Sequence, residues 1–190
     1  MNIKELKQIL YADSVASGRN TTAARFFGDE VWKFQRSLRV LEYYGTLHGV
    51  KKLLLLPVYV WVRVRYHRLS LKLGFSIPVN VFDEGLSIPH YGTIVVSKYA
   101  KAGRNCRIHE GVTIGATNGT RLAPRLGNNV FIGSGAKIMG GVSVADDVCI
   151  GANAVVTSSI SEPGTTWGGI PARKISDNDS HSNLNPKLFS

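Results

Sequence analysis

LGNNVFIGSGAKIMGGVSVADDVCIGANAVV, residues 126–156, is the stretch that decides the fold. Every sixth residue is aliphatic: Leu126, Ile132, Ile138, Val144, Ile150 and Val156. The same phase runs back through Ile114, Ile108 and Ala102, so nine positions share one register. Two residues ahead of each stands a second track: Ala100, Cys106, Val112, Val130, Ala136, Val142, Val148 and Ala154. All of these are small or β-branched, and Pro124 is the one exception. Gly follows the ladder residue at positions 103, 115, 127, 133 and 151. An ordinary β-sandwich gives a period of two with varied loops. A fixed period of six is the mark of a solenoid. Each hexad supplies a short strand and a turn, with one aliphatic side chain aimed at the axis and glycine relieving the corner. Stacked coils then pair their backbone groups and bury a continuous aliphatic ladder. The expected fold is an all-β parallel β-helix behind an N-terminal helical segment.

The ladder is interrupted twice, and interruptions in a solenoid are where function is grafted. Phe82 and Ile88 carry a phase two residues out of step with Val96, and the slip falls in IPHYGTI, residues 88–94. In the second interruption ATNGTRLAPR, residues 116–125, replaces one hexad. Upstream, residues 1–73 read as helical. Ile3, Leu6, Ile9 and Leu10 recur at helical spacing, as do Phe34, Leu38 and Leu41. Breaks are expected at 18–22 and at Tyr44-Gly45. VYVWVRVRYHRL, residues 58–69, alternates like a strand, yet a helix over about 53–73, kinked near Pro57, is preferred. Downstream, 176–190 reads as a mobile polar tail. The chain therefore divides into 1–73 (helical), 74–175 (β-helix) and 176–190 (tail).

The formal net charge is +10, from 23 basic and 13 acidic residues. Between Glu42 and Asp83 no acid occurs, while Lys51, Lys52, Arg63, Arg65, Arg68 and Lys72 all fall there. Such a balance suits nucleic acid, an anionic membrane or an anionic small molecule. No nucleic-acid motif accompanies the basic stretch, which sets nucleic acid aside. Residues 51–72 suit peripheral contact with a membrane surface, since Lys and Arg snorkel around an apolar face. A helix packed on the β-helix or on a neighbouring subunit is the alternative. Residues 53–62 are apolar but short of the ~20 residues a spanning helix needs. Cys106 and Cys149 show no metal-ligand spacing and no disulfide framework, as expected of reduced thiols in a cytosolic protein. The N-terminus is too polar for a signal peptide. A cytoplasmic protein is the expectation, with the inner face of the membrane left open as its place.

GLSIPHYGTIVV, CRIHEGVTIG, VFIGSGAKIMGGVSV, IGANAVV and GGIPARKI together resemble the serine O-acetyltransferase family of hexapeptide-repeat acyltransferases over 74–175. GFSIPVNVFDEGLSIPHYGTIVV is similar to its capsule and exopolysaccharide branch. The resemblance implies a left-handed coil with three hexads per turn, against the usual right-handed crossover. It also implies a homotrimer, plain or stacked, with acetyl-CoA in the cleft between neighbouring subunits. No metal is expected, because a zinc site needs three clustered ligands and only His90 and His109 lie in the repeats.

Within that resemblance His90, in Pro89-His90-Tyr91-Gly92, matches the catalytic base. An alcohol is a poor nucleophile at neutral pH, and a neutral imidazole can take its proton as it attacks a thioester. The family's partner Asp, fifteen residues earlier, is here Phe75. Counting three sides per coil places His90 over Glu110, which would hold the imidazole as the acid of a triad does. Asp83 and Glu84 are rivals. Ser134 and Ala152, eighteen residues apart, share a column, and the resemblance puts their amides on the pantetheine arm with Gly115 and Ala116. Arg173 or Lys174 would meet the nucleotide phosphates.

On the acceptor side stand Pro89, Tyr91, His109, Leu122 and Ala123. The family's serine-contacting Asp is replaced by Pro89, and its Arg-His pair by Leu122 and Ala123, in a loop two residues shorter than usual. Each lost polar contact costs ~1–3 kcal/mol. The leading expectation is acetyl transfer to a sugar hydroxyl of a cell-surface polysaccharide. Serine acetylation for cysteine synthesis is the alternative, and a non-catalytic β-helix scaffold is the alternative of another class.

Overall fold

A computed structural model describes residues 1–117 and 119–189. Asn118, inside the second interruption, and Ser190, at the end of the polar tail, lie outside the described residues. Four helices come first: α1 (Ile3–Ala16), α2 (Glu30–Gly45), α3 (Gly49–Leu54) and α4 (Leu56–Leu73). The alternating stretch 58–69 is helical, as preferred. Pro57 stands in the first turn of α4, where its missing N–H costs nothing, so the expected kink is instead a helix start.

Short parallel strands then wind into a coil with three faces. One face carries Phe75–Ser76, Ile94–Val96, Thr113–Gly115, Lys137–Met139 and Val155–Val156. The second stacks Arg107–Ile108, Phe131–Ile132 and Cys149–Ile150, and is closed by Thr166–Gly168 and the antiparallel Arg173–Ser176. The third stacks Lys101–Ala102, Arg125–Leu126 and Ser143–Val144. All nine ladder residues are buried, from Ala102 to Val156, and so is the second track with Pro124. Burying each Ile or Val contributes ~1.5–3 kcal/mol, so the ladder is the main source of stability.

The register sharpens the reading of both interruptions. Lys137 pairs with Val155, eighteen residues on, whereas Thr113 pairs with Lys137, twenty-four on. The segment 116–125 therefore adds six residues at a corner rather than replacing a hexad. Every coil keeps its three faces.

The corner glycines act differently from the expectation. Those at 103, 115, 127, 133 and 151 have ordinary φ; what they provide is close approach, since a Cβ on Gly133 would lie 2.7 Å from the Ala152 amide nitrogen. The left-handed residues stand three before the ladder residue: Asn105, Gly111, Asn129, Gly135, Asp147 and Asn153. Asn and Asp tolerate that conformation because their side chains bond locally. Here they also bond along the stack. Asn105 donates to Asn129 and Asn129 to Asp147, each at 2.8 Å, and the His181 ring meets Asp147 at 2.8 Å.

The first coil would end in unpaired backbone groups, and α1 and α2 cover it. Arg39, 2% exposed, spends all five N–H donors there. They reach Asp13 (2.8 and 3.1 Å), Glu42 (2.9 Å) and the carbonyls of Phe82 (2.7 Å) and Asp83 (2.6 Å). Asp13 in turn accepts the N–H groups of Gly85 and Leu86, and Gln35 donates to the Leu86 carbonyl. A solenoid needs such a cap, because its terminal coil has no neighbour.

Residues 177–189 are packed, not free. Ser180 is fully buried and Leu184 is 6% exposed. The Ser180 N–H donates to the Asp147 carbonyl, and the Asn185 side chain donates to Val15 in α1. Ser180, Asn183 and Asn185, which read as disorder in the sequence, are hydrogen-bonding partners for the coil edge and α1.

Candidate active site

The two-residue phase slip has a direct structural meaning. Ser87 pairs with Arg107, twenty residues on, but Val95 pairs with Thr113, eighteen on. Two residues more than the stack requires are therefore extruded between these points. Beyond the slip, a Cβ on Gly92 would lie 2.8 Å from that of Glu110, which fixes the Gly92–Glu110 stack. His90 is pushed outward, exposed, with its ring 5.8 Å from that of His109 and inclined by 62°.

This corrects the expected pairing of His90 with Glu110. The bulge shifts the stack, so His90 stands against His109, and Glu110 stands beneath Gly92. Glu110 Oε2 lies 3.8 Å from His109 Nδ1, beyond hydrogen-bond length, and has no hydrogen-bond partner among the described residues. No carboxylate among the described residues hydrogen-bonds to the His90 ring. The rivals do not approach it either: Asp83 and Glu84 serve through their backbones, which bond to Arg39, Ala102 and Asn105. Phe75 is core, edge-on to Phe34 at 5.1 Å, and cannot replace an acid.

Beside His109 lies a residue that sequence reasoning missed. Arg107 Nε donates to His109 Nε2 at 3.4 Å. It directly precedes a ladder residue, so its outward side chain was readable from the period. Burial and the Arg107 charge hold His109 below the ordinary imidazole range, so it is neutral at pH 7. The Ser134 hydroxyl and the nearby imidazoles keep the Glu110 carboxyl low, hence ionised. With Arg107 occupying Nε2, the His109 proton belongs on Nδ1, facing Glu110. Arg107, His109, Glu110 and Ser134 thus form one polar row, with His90 against its His109 member. Phe131, 5.1 Å from the His109 ring, closes its far side.

The other expected site residues divide between two edges of one face. Ser134 and Ala152 do share a column, since the Asn153 N–H donates to the Ser134 carbonyl at 2.8 Å; this is the His90 edge. Gly115, Ala116, Leu122 and Ala123 stand at the opposite ends of the same strands. Three strand residues span about 10 Å, so one chain does not bring the two edges together. Gly115 packs on Met139, Ala123 is buried, and Leu122 is 65% exposed. Tyr91 is exposed beside His90. Pro89 lines a cleft of about 180 Å³ with Arg107, Trp32 and Gln35, against the N-terminal segment. Lys174 is already held by Glu162 and Asp177, each at 2.6 Å, which leaves Arg173 as the cation of that pair without an ion-pair partner among the described residues. Among the described residues no group of three His, Cys, Asp or Glu side chains is placed to hold a metal.

Residues 123–158 match the family model described as bacterial transferase hexapeptide (six repeats). Serine acetyltransferase of Helicobacter pylori is 43% identical over 101 residues, 52% of this chain and 58% of that protein. The match thus spans little more than half the length of that relative. Serine acetyltransferase of Staphylococcus epidermidis is 33% identical over 169 residues, 80% of this chain and 79% of that one. Among solved structures, serine acetyltransferase of Brucella abortus in complex with coenzyme A superposes with a TM-score of 0.69 at 26% identity, covering 93% of this chain and 70% of that one. The likeness bears out a left-handed β-helix with N-terminal helices. These relatives are named for serine and not for polysaccharide, so the expected polysaccharide branch gains no support from them. The match over most of both chains in the Staphylococcus relative is decisive: this chain belongs to the serine acetyltransferase family.

Proposed function

We propose that the protein is an acetyl-CoA-dependent O-acetyltransferase in which His90 takes the proton of an acceptor hydroxyl as it attacks the thioester. The carrying observation is the two-residue bulge, which lifts one imidazole clear of a regular coil and sets it against His109, beside Arg107. The alcohol oxygen forms the new ester bond to the acetyl carbonyl carbon. The carbon–sulfur bond breaks, and the proton held on His90 passes to the departing CoA thiolate. His109, neutral and directed by Arg107, faces the same space and is suited to hold the acceptor. Ser134 and Ala152 offer small, backbone-exposing corners for the pantetheine arm, with Gly115 and Ala116 on the other edge and Arg173 for phosphate.

Because those edges are about 10 Å apart in one chain, the reading includes a homotrimer whose site joins one edge of one subunit to the other edge of its neighbour. The bare His90 ring and the unpaired Glu110 oxygen fit a site completed in this way. Mixed trimers test it. A His90→Ala subunit combined with a subunit carrying a bulky Ala116→Trp should recover a fraction of activity that neither homotrimer has. Absence of recovery contradicts the shared site.

Serine is the acceptor for which the relatives are named, and it is the reading they favour. One observation supports a second reading, a sugar hydroxyl. Leu122 and Tyr91 present exposed apolar and aromatic surface, and Pro89 and Ala123 stand where the family resemblance expects groups that hold an amino acid. Following CoA thiol release with serine and, separately, with acetyl-accepting glycans decides between them. Turnover with serine at micromolar enzyme establishes the first reading; turnover with glycan alone establishes the second.

A further inference from the structure

We propose that the face built by α2 and α4 docks the protein onto an anionic lipid surface. It is independent of the transfer chemistry. A groove of about 630 Å³ runs between the two helices and the loop before α2. Six cations line it against the single acid Glu30. Two of them are committed: Lys33 to the carbonyls of Phe26 and Gly28, and Lys72 to Glu30 at 3.1 Å. Arg36, Arg65 and Arg68 have no carboxylate partner among the described residues. Arg65 lies over the Trp61 ring at 5.2 Å, and Trp61 is 60% exposed.

The helix carries a second feature that a free phosphate would not need. Its buried face packs through Val62, Leu69 and Leu73, yet a separate apolar stripe of Val60, Val64 and Leu71 faces solvent beside the basic row. In the preceding turns Leu53 and Leu54 are about 70% exposed. A helix with one face already in the core gains nothing in water from a second apolar stripe. Guanidinium groups match phosphate geometry, and an adjacent aliphatic stripe matches acyl chains. A lipid surface satisfies both at once. A two-fold contact between copies would set these arginines against themselves. No helix among the described residues is long and apolar enough to cross a membrane, so the contact is interfacial.

Sedimentation of the intact protein with vesicles tests this. Binding is expected to phosphatidylcholine vesicles containing phosphatidylglycerol, falling as salt rises, with little binding to pure phosphatidylcholine. The triple variant Arg36→Gln, Arg65→Gln, Arg68→Gln should weaken binding on the order of 100-fold with an unchanged melting temperature. Val60→Ser with Val64→Ser and Leu71→Ser should weaken it even at low salt. Equal binding to both vesicles, no binding, or full binding by either folded variant overturns the proposal. Displacement by inorganic pyrophosphate at the same phosphate concentration assigns the groove to a soluble ligand and also overturns it. So does cross-linking that places Trp61 of one copy against another copy in solution.

Discussion

The coils after Leu126 and the coil before Ile94 are made of the same turn, yet they obey different rules. From Leu126 to Val156 the stack repeats every eighteen residues, and no residue is extruded from it. At Phe82 and Ser87, before Ile94, the step is twenty, the end is capped by buried charge, and an imidazole is forced out of line. Regularity makes the scaffold stable. The departure from it makes the candidate site, because an unpaired stretch of backbone can present a side chain at an angle that the repeat forbids. The cap shows a second contrast: the ladder is held by aliphatic burial, the cap by hydrogen bonds to charged groups.

The largest effect should come from breaking that cap. Arg39→Met leaves Asp13 and Glu42 buried and unpaired, which costs ~3–5 kcal/mol. Chemical denaturation should show it as a lowered midpoint. An unchanged midpoint would mean that the helices are dispensable to the coil. Close behind comes the ladder itself, where Ile132→Ala removes a fully buried side chain at ~2–5 kcal/mol. If Ile132→Ala proved much the more costly of the two, the coil rather than its cap would limit stability. The smallest effect concerns pH. The fold lowers the His109 pKa and so prefers the neutral ring. Its contribution is full above the ordinary value of 6.5 and is lost as pH falls below it. The stability difference between the wild type and His109→Gln should therefore shift in favour of the variant on acidification. A difference that is flat with pH would contradict the neutral assignment.

The ladder could be read from the sequence because each hexad commits one aliphatic residue to the axis. The bulge was equally legible, as a slip between Ile88 and Val96. What lay over what was not. Counting sides placed His90 on Glu110, and only the pairing shows that the extra residues leave it against His109. Arg39, Asp13 and Glu42 look like surface charges in a helix, since nothing local marks a residue that will cap a distant coil. The Asn and Asp corners did repeat in the sequence, three before the ladder residues, but polar residues at a turn are too common to stand out. The tail failed for a related reason: composition reports what cannot form a core of its own, not what can pack on an existing one.

The central claim is that the imidazole extruded by the bulge performs the transfer. The most direct test is the rate of CoA thiol release from acetyl-CoA by His90→Ala, measured with the acceptor that the wild-type protein turns over. The account predicts a loss of roughly 10²–10⁴ in kcat with an unchanged melting temperature. A folded His90→Ala protein that retains the wild-type rate would contradict it.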